Sequence, residues 1–93
     1  MRMIMDINYL WNRIIELEGE VFHTITGLEF TYKVVNDHEV VPYRDGSPKW
    51  KLSKDVFKKA LEFSKFSGEV FNQKIIGSSY VAGILNDYRI GIK

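Results

Sequence analysis

The stretch GEVFHTITGLEFTYKVVNDHEVVPYR, residues 19–44, decides the fold. Alternate residues near its centre are apolar: Leu28, Phe30, Tyr32 and Val34. This two-residue period is typical of a strand that buries one face. Turn-forming pairs lie on either side, Thr26-Gly27 before the strand and Asn36-Asp37 after it. The stretch therefore predicts an antiparallel meander in the middle of the chain.

Three strands are predicted for this meander: Glu20 to Ile25, Leu28 to Val35 and Glu39 to Tyr43. Pro42 cannot donate a ladder hydrogen bond, which predicts that the third strand lies at an edge or ends early. Residues 44–48 have the composition of an exposed turn, and Lys49 to Leu52 can form a fourth short strand that returns to the third. The alternation also places His23 on a strand face with Val21, where a half-buried packing role is expected.

Helical patterns flank the meander. Apolar residues at helical spacing predict a first helix from about Met3 to Glu18, which Gly19 ends because glycine accepts a positive φ. Ser53 is the expected N-cap of a second helix that ends near residues 67–68. Ser78 or Ser79 is the expected cap of a third helix.

Two details of the C-terminal half concern packing. Gly83 inside the third helix costs about 1 kcal/mol relative to alanine, which predicts close packing against another segment. Residues 69–77 fit both a helical turn and an extended segment. The predicted core combines both halves of the chain: Ile7, Trp11, Ile14, Phe22, Phe30, Tyr32, Phe57, Leu61, Val81, Ile84 and Leu85.

Together these patterns predict a single α+β domain over residues 1–93. It has an N-terminal helix, a three- or four-stranded antiparallel meander, and two C-terminal helices, with the helices packed on one sheet face. A chain of 93 residues with 45% hydrophobic and 14% aromatic residues can form one hydrophobic core without disulfides or structural metal sites.

Composition excludes several functional classes. The chain has no cysteine, so it has no disulfide framework, thiolate metal site or cysteine nucleophile. No apolar run approaches the roughly 20 residues of a membrane span, and the first residues do not resemble a signal peptide. A cytoplasmic protein that does not enter membranes is therefore expected.

Catalytic constellations are also missing from the sequence. His23 and His38 are isolated, and His, Asp and Glu do not recur at metal-ligand spacing. Ser53, Ser78 and Ser79 stand at helix starts, where capping explains them, and no nucleophile elbow surrounds them. We therefore expect no enzyme activity, no metal and no cofactor.

The small net charge of +1 hides an asymmetry between two segments. Residues 1–43 carry three cationic side chains and seven carboxylates, whereas residues 44–74 carry eight cationic side chains and four carboxylates. Such an asymmetry can mark a partner surface. The simpler interpretation, that the two segments face each other within one domain, is also open and is the one that a small domain favours.

The basic segment carries the best functional feature of the sequence. Its candidate nucleic-acid-binding residues are Arg44, Lys49, Trp50, Lys51, Lys54, Lys58 and Lys65. Cations interleaved with an aromatic ring suit a phosphate backbone and a stacked base, and the lysine spacing keeps Lys51, Lys54, Lys58 and Lys65 near one side of the second helix. Alternatively, the lysines form an ordinary solvent face and Trp50 belongs to the core. The predominance of lysine over arginine favours this second interpretation.

Two sets of residues resemble the opening and closing motifs of a family of small uncharacterised bacterial α+β domains. The first motif is Gly19, Phe22, Thr24, Thr26, Gly27, Phe30, Tyr32 and Val34. The second is Gly77, Ser79, Tyr80, Val81, Ile84, Leu85, Asp87, Arg89 and Ile90. The family occurs alone and also appended to larger proteins, some of which act on nucleic acids. The resemblance implies no catalytic residue, and it raises the expectation of a nucleic-acid-associated accessory module.

The preferred hypothesis is a non-catalytic binding module with weak, sequence-independent affinity for nucleic acid. The alternative is a protein-interaction or self-association module, including a homodimer, in which residues 44–74 of one chain meet residues 1–43 of another. An exposed aromatic patch on the uncovered sheet face would favour the alternative.

Overall fold

The computed structural model describes residues 6–90 and confirms the α+β architecture. Four helices are present in this range: α1 (Ile7–Glu16), α2 (Lys54–Ala60), α3 (Glu69–Lys74) and α4 (Ser78–Leu85). Five strands are present: β1 (Phe22–His23), β2 (Glu29–Val35), β3 (Glu39–Arg44), β4 (Ser47–Pro48) and β5 (Leu52–Ser53). Three helices, not two, follow the sheet, because the ambiguous segment 69–77 contains α3.

The strands form one antiparallel sheet in the order β1-β2-β3-β4, and β5 pairs with β3 on the same side as β4. The register confirms the predicted alternation, because it pairs Phe22 with Phe30 and Tyr32 with Pro42. These residues lie on the sheet face that the helices cover. Tyr80 of α4 contacts the Phe30 ring at a centroid distance of 5.0 Å, and the Tyr32 hydroxyl donates to the carbonyl of Ile14 in α1.

Strand β3 is central, so the prediction of an edge strand was wrong. The carbonyl of Pro42 accepts a hydrogen bond from the amide of Lys49, so its ring nitrogen faces the same side, away from β2. On that side, the paired residues Val40 and Tyr43 of β3 are three positions apart in the chain. Their partners Leu52 of β5 and Pro48 of β4 are four positions apart. The extra residue is a bulge, and the proline lies opposite it, where no ladder donor is lost.

The predicted strand lengths also change. Strand β1 covers two residues instead of 20–25, and residues 49–51 separate β4 from β5 instead of continuing one fourth strand. Asp45 and Gly46 both have positive φ and form the tight turn of the β3–β4 hairpin. His23 points away from the helices with its side chain 55% exposed, so the expected half-buried role was wrong.

The end of α1 binds the outer edge of β2. The amide of Gly19, at φ +89°, donates to the carbonyl of Tyr32, and the amide of Val34 donates to the carboxylate of Glu18. Backbone groups on this edge are therefore occupied within the chain, which protects the edge against pairing with another strand. Helix α1 itself begins at Ile7, and the carboxylate of the N-cap Asp6 accepts from the amide of Asn8; residues 3–5 of the predicted helix lie outside the described range.

The predicted core is largely confirmed, with Ile7 and Leu61 only partly buried at its margin. Gly83 packs as closely as expected, since an added Cβ would lie 2.4 Å from the backbone oxygen of His23. The serine caps differ from the prediction. Ser53 is at the N-cap of α2, but its side chain makes no capping hydrogen bond, and Gly77 takes the N-cap position of α4.

Candidate nucleic-acid interface

The predicted cationic residues occupy two neighbouring parts of the fold. Lys49, Trp50 and Lys51 form the bulged segment between β4 and β5, and β5 leads directly into α2. Lys54 and Lys58 lie one turn apart on α2. Helix α2 ends at Ala60, so Lys65 follows it in the irregular segment 61–68 and the proposed helical stripe of four lysines was too long.

Trp50 is not a core residue. The residue is 46% exposed and lies between the exposed residues Lys49 and Lys51. The indole rests against Gly77, where an added Cβ would lie 3.2 Å from the ring atom Cγ and 2.7 Å from a methyl group of Leu52. The Trp50 ring thus lies against Gly77, the N-cap of α4, which leaves room for the ring because it has no side chain, and Trp50 remains partly exposed.

The cations of residues 44–74 are not neutralised by the acidic segment. The described residues form three ion pairs, Arg13 with Glu16 and Arg89 with Glu20 and Asp87, and His23 contacts Glu29. No described carboxylate forms an ion pair with any of the eight cations of the basic segment. Residues 6–43 and 44–74 do pack against each other, through α1 on α2 and through β3 on β4 and β5, but no ion pair between described residues joins their opposite charges.

The carboxylates of the acidic segment, in contrast, are largely engaged. Glu16 pairs with Arg13, Glu20 lies 3.8 Å from Arg89, and Glu29 lies 3.6 Å from the Nε2 atom of His23. Glu18 accepts from the β2 backbone and Asp6 caps α1. Five of the seven carboxylates of the acidic segment thus have partners within the chain, whereas most lysines of the basic segment are exposed.

Two members of the predicted site have contacts within the fold. Lys54 is half-buried, with its Nζ atom 5.8 Å from the centroid of the Trp11 ring and 3.5 Å from the Oδ1 atom of Asn8. Arg44 donates from Nη1 to the hydroxyl of Tyr80, and this hydrogen bond raises the pKa of Arg44. Lys49, Lys51, Lys58 and Lys65 remain exposed and are the better candidates for phosphate contacts.

An open pocket of about 360 Å³ lies beside Trp50. Trp50 and Ile76 supply apolar walls, and Asn72 and Gln73 supply amide groups. Ser78 and Ser79 at the start of α4 also line it. The pocket thus adjoins the basic segment and contains both stacking and hydrogen-bonding groups.

Sequence reasoning missed several of these residues. Lys59 on α2 and Lys74 at the end of α3 are exposed cations that the predicted site omitted, and Lys74 directly follows the pocket residue Gln73. The sequence did not mark Asn72 and Gln73 as site residues, because residues 69–77 show no clear helical or strand periodicity. Tertiary contacts, among them the contact of Trp50 and Leu52 with Gly77 and the hydrogen bond from Arg44 to Tyr80, bring the start of α4 to Trp50 and the lysines beside it.

A second depression, of about 490 Å³, lies on the open sheet face and is lined by Val21, Thr31, Lys33 and Tyr43, among others. Tyr43 is the only aromatic residue on this face within the described strands, and the Nζ atom of Lys33 lies 5.3 Å from its ring centroid. The exposed aromatic patch that would favour self-association is therefore missing from the described sheet. Residues 6–90 also hold no cluster of three potential metal ligands.

None of the helices between residues 6 and 90 has the length and apolar content that crossing a bilayer requires. Comparison of the chain with protein-family models, curated proteins and solved structures finds no significant match. The resemblance to small bacterial α+β domains therefore stays a prediction, and the case for a function rests on the surface around Trp50.

Proposed function

We propose that this chain is a non-catalytic module that binds nucleic acid weakly and without sequence preference through residues 44–74. One observation carries the proposal: Trp50 is half exposed between two exposed lysines that form no ion pair with the described residues. Lysines without partners can neutralise phosphates and release counterions, and an indole held by the fold can stack on a base. The predicted resemblance to small bacterial domains points in the same direction, since some of the larger proteins to which that family is appended act on nucleic acids.

The competing hypothesis pairs residues 44–74 of one chain with residues 1–43 of another. The acidic segment gives it less support, because Glu16, Glu18 and Glu20 already have partners within the chain, whereas the exposed lysines beside Trp50 form no ion pair with the described residues. The occupied outer edge of β2 also argues against assembly by strand pairing. Nucleic acid is therefore the preferred partner.

A fluorescence anisotropy titration of a labelled oligonucleotide at low salt tests the proposal. Non-specific nucleic-acid affinities typically lie at dissociation constants of about 1–100 μM, so the titration should extend to about 100 μM protein. Lys51→Glu should weaken binding several-fold. Lys33→Glu is the matched control, because it makes the same charge change at an exposed lysine on the open sheet face.

Binding that Lys51→Glu weakens more than Lys33→Glu supports the proposed surface. Equal weakening by both variants would mean that only net charge matters and would contradict the assignment to residues 44–74. Unchanged anisotropy of the wild type over the whole titration would reject the nucleic-acid proposal. Light scattering at two ionic strengths would then test the self-association alternative, for which a dimer that dissociates in salt is expected.

A further inference from the structure

The pocket beside Trp50 has the features of a site for one planar heterocycle. The indole of Trp50 and the side chain of Ile76 form apolar surfaces, and both are substantially exposed, at 46% and 57%. Asn72 and Gln73 add amide donors and acceptors, and Ser79 adds a hydroxyl group. Apolar walls with a few polar groups at the rim match a nucleobase, which has π faces and a hydrogen-bonding edge.

The size and charge of the surroundings agree with this ligand. The volume of about 360 Å³ lies at the lower end of the range for small-molecule sites, which suits a single base rather than a large ligand. Lys49 and Lys51 flank Trp50 in the chain, and Lys74 follows Gln73. Exposed cations thus neighbour two of the lining residues in the chain, which fits a strand whose phosphates lie before and after the bound base.

A base can reach the Trp50 ring only when it is free of its neighbours in a duplex. Bases inside a double helix are stacked and paired, and extruding one costs a few kcal/mol. We therefore infer that this chain prefers single-stranded nucleic acid and holds one unstacked base against Trp50, in the pocket between the bulged segment and α3. This inference rests on the proposed nucleic-acid function and adds the strand type and the stacking residue.

The first experiment compares the affinity of the protein for a labelled single-stranded oligonucleotide and for the duplex of the same sequence. The single strand should bind at least about fivefold more tightly, since stacking of one base contributes about 1–3 kcal/mol and 1.4 kcal/mol is a factor of ten. Trp50→Ala should remove most of this difference, whereas Trp50→Phe should keep part of it. Tyr9→Ala is the matched control, because Tyr9 is 49% exposed on α1, outside the basic segment.

A second pair of variants avoids the contact between Trp50 and Gly77, on which local folding depends. Ile76→Glu places a carboxylate in the pocket at a position that is 57% exposed, and it should weaken single-strand binding about tenfold or more. Val70→Glu makes the same charge change at a position on α3 that is 58% exposed and does not line the pocket. It should have a much smaller effect. Far-ultraviolet circular dichroism checks that each variant is folded.

The outcomes separate this inference from the proposed function. If the wild type binds neither strand form, the proposed function fails. If it binds both forms equally, or if Ile76→Glu and Val70→Glu weaken binding to the same extent, the pocket is rejected as a base-binding site. The proposed nucleic-acid binding through residues 44–74 is then still supported. Equally strong competition by a mononucleotide and by the single strand, at equal nucleotide concentration, would also overturn the assignment to a strand, because it would show that the flanking phosphates contribute nothing.

Discussion

Replacing Gly83 with alanine tests how closely α4 approaches β1. In an ordinary helix this change stabilises the protein by about 1 kcal/mol, because alanine restricts the unfolded backbone. Here the added Cβ would lie 2.4 Å from the backbone oxygen of His23 and 3.1 Å from the ring of Phe30. Carbon–oxygen contacts normally begin at about 3.3 Å, so α4 must move away from β1 by about 1 Å.

The cost of that displacement exceeds the gain in helix propensity. Overpacking a core typically costs about 1–3 kcal/mol, and the upper end applies because the clash is with strand backbone instead of a flexible side chain. After subtraction of the propensity gain, Gly83→Ala should lower the free energy of unfolding by about 2 kcal/mol. For a domain of this size the melting temperature should fall by about 10 °C.

Thermal unfolding followed by circular dichroism, together with urea unfolding, measures this change. Asn12→Ala, at an exposed position on α1, is the control and should be neutral or slightly stabilising. If Gly83→Ala is as stable as the wild type or more stable, α4 does not approach β1 so closely and the glycine is only a weak point of the helix.

Three further predictions concern stability. Tyr32→Phe should cost about 1–2 kcal/mol by urea unfolding, because it removes the buried hydroxyl that satisfies a carbonyl at the end of α1; a neutral effect would contradict this contact. Hydrogen bonds from Arg89 hold the pKa of Asp87 below its usual 3.8, so Asp87 stabilises the fold above about pH 4 and loses this effect as the pH falls through its folded pKa. Asp87→Asn should therefore be less stable than wild type at pH 7 and approach it in acid, and a difference independent of pH would refute the account. Lys54→Glu should be close to neutral, because the helix dipole favours a carboxylate in the first turn of α2 and offsets the lost contact with the Trp11 ring, whereas Lys58→Glu should destabilise by about 0.3–1 kcal/mol because it places a carboxylate in the last turn; a larger loss for Lys54→Glu would contradict this.

The sequence predicted the fold wherever a local period was long enough to assign. Seven residues of β2 alternate cleanly, so both the strand and its buried face were correct. The predicted edge position of β3 was wrong. A proline is incompatible with a central strand only where the ladder needs a hydrogen bond from its backbone nitrogen. The bulge opposite Pro42 removes that conflict, and it depends on the pairing of β3 with β4 and β5, which no local pattern encodes.

The candidate site was predicted only in part for a similar reason. Composition located the basic segment and its tryptophan, but it could not distinguish a core indole from a half-exposed one. That distinction depends on Gly77, which lies 27 positions after Trp50 and leaves room for the ring because it has no side chain. The helix boundary at Ala60, which separates Lys65 from Lys58, was also missed, because apolar residues continue at 61, 63 and 66 without further helix.

The dependence of single-strand affinity on salt tests the central claim most directly. If the exposed lysines around Trp50 contact phosphates, log K for binding should fall linearly with log salt concentration. The slope should be about −2 to −3, since each of three or four neutralised phosphates contributes about −0.7 on a single strand. Lys51→Glu should make the slope less negative by about 0.7, whereas Lys33→Glu should leave it unchanged. A slope near zero, or the same slope for wild type and Lys51→Glu, would contradict the account.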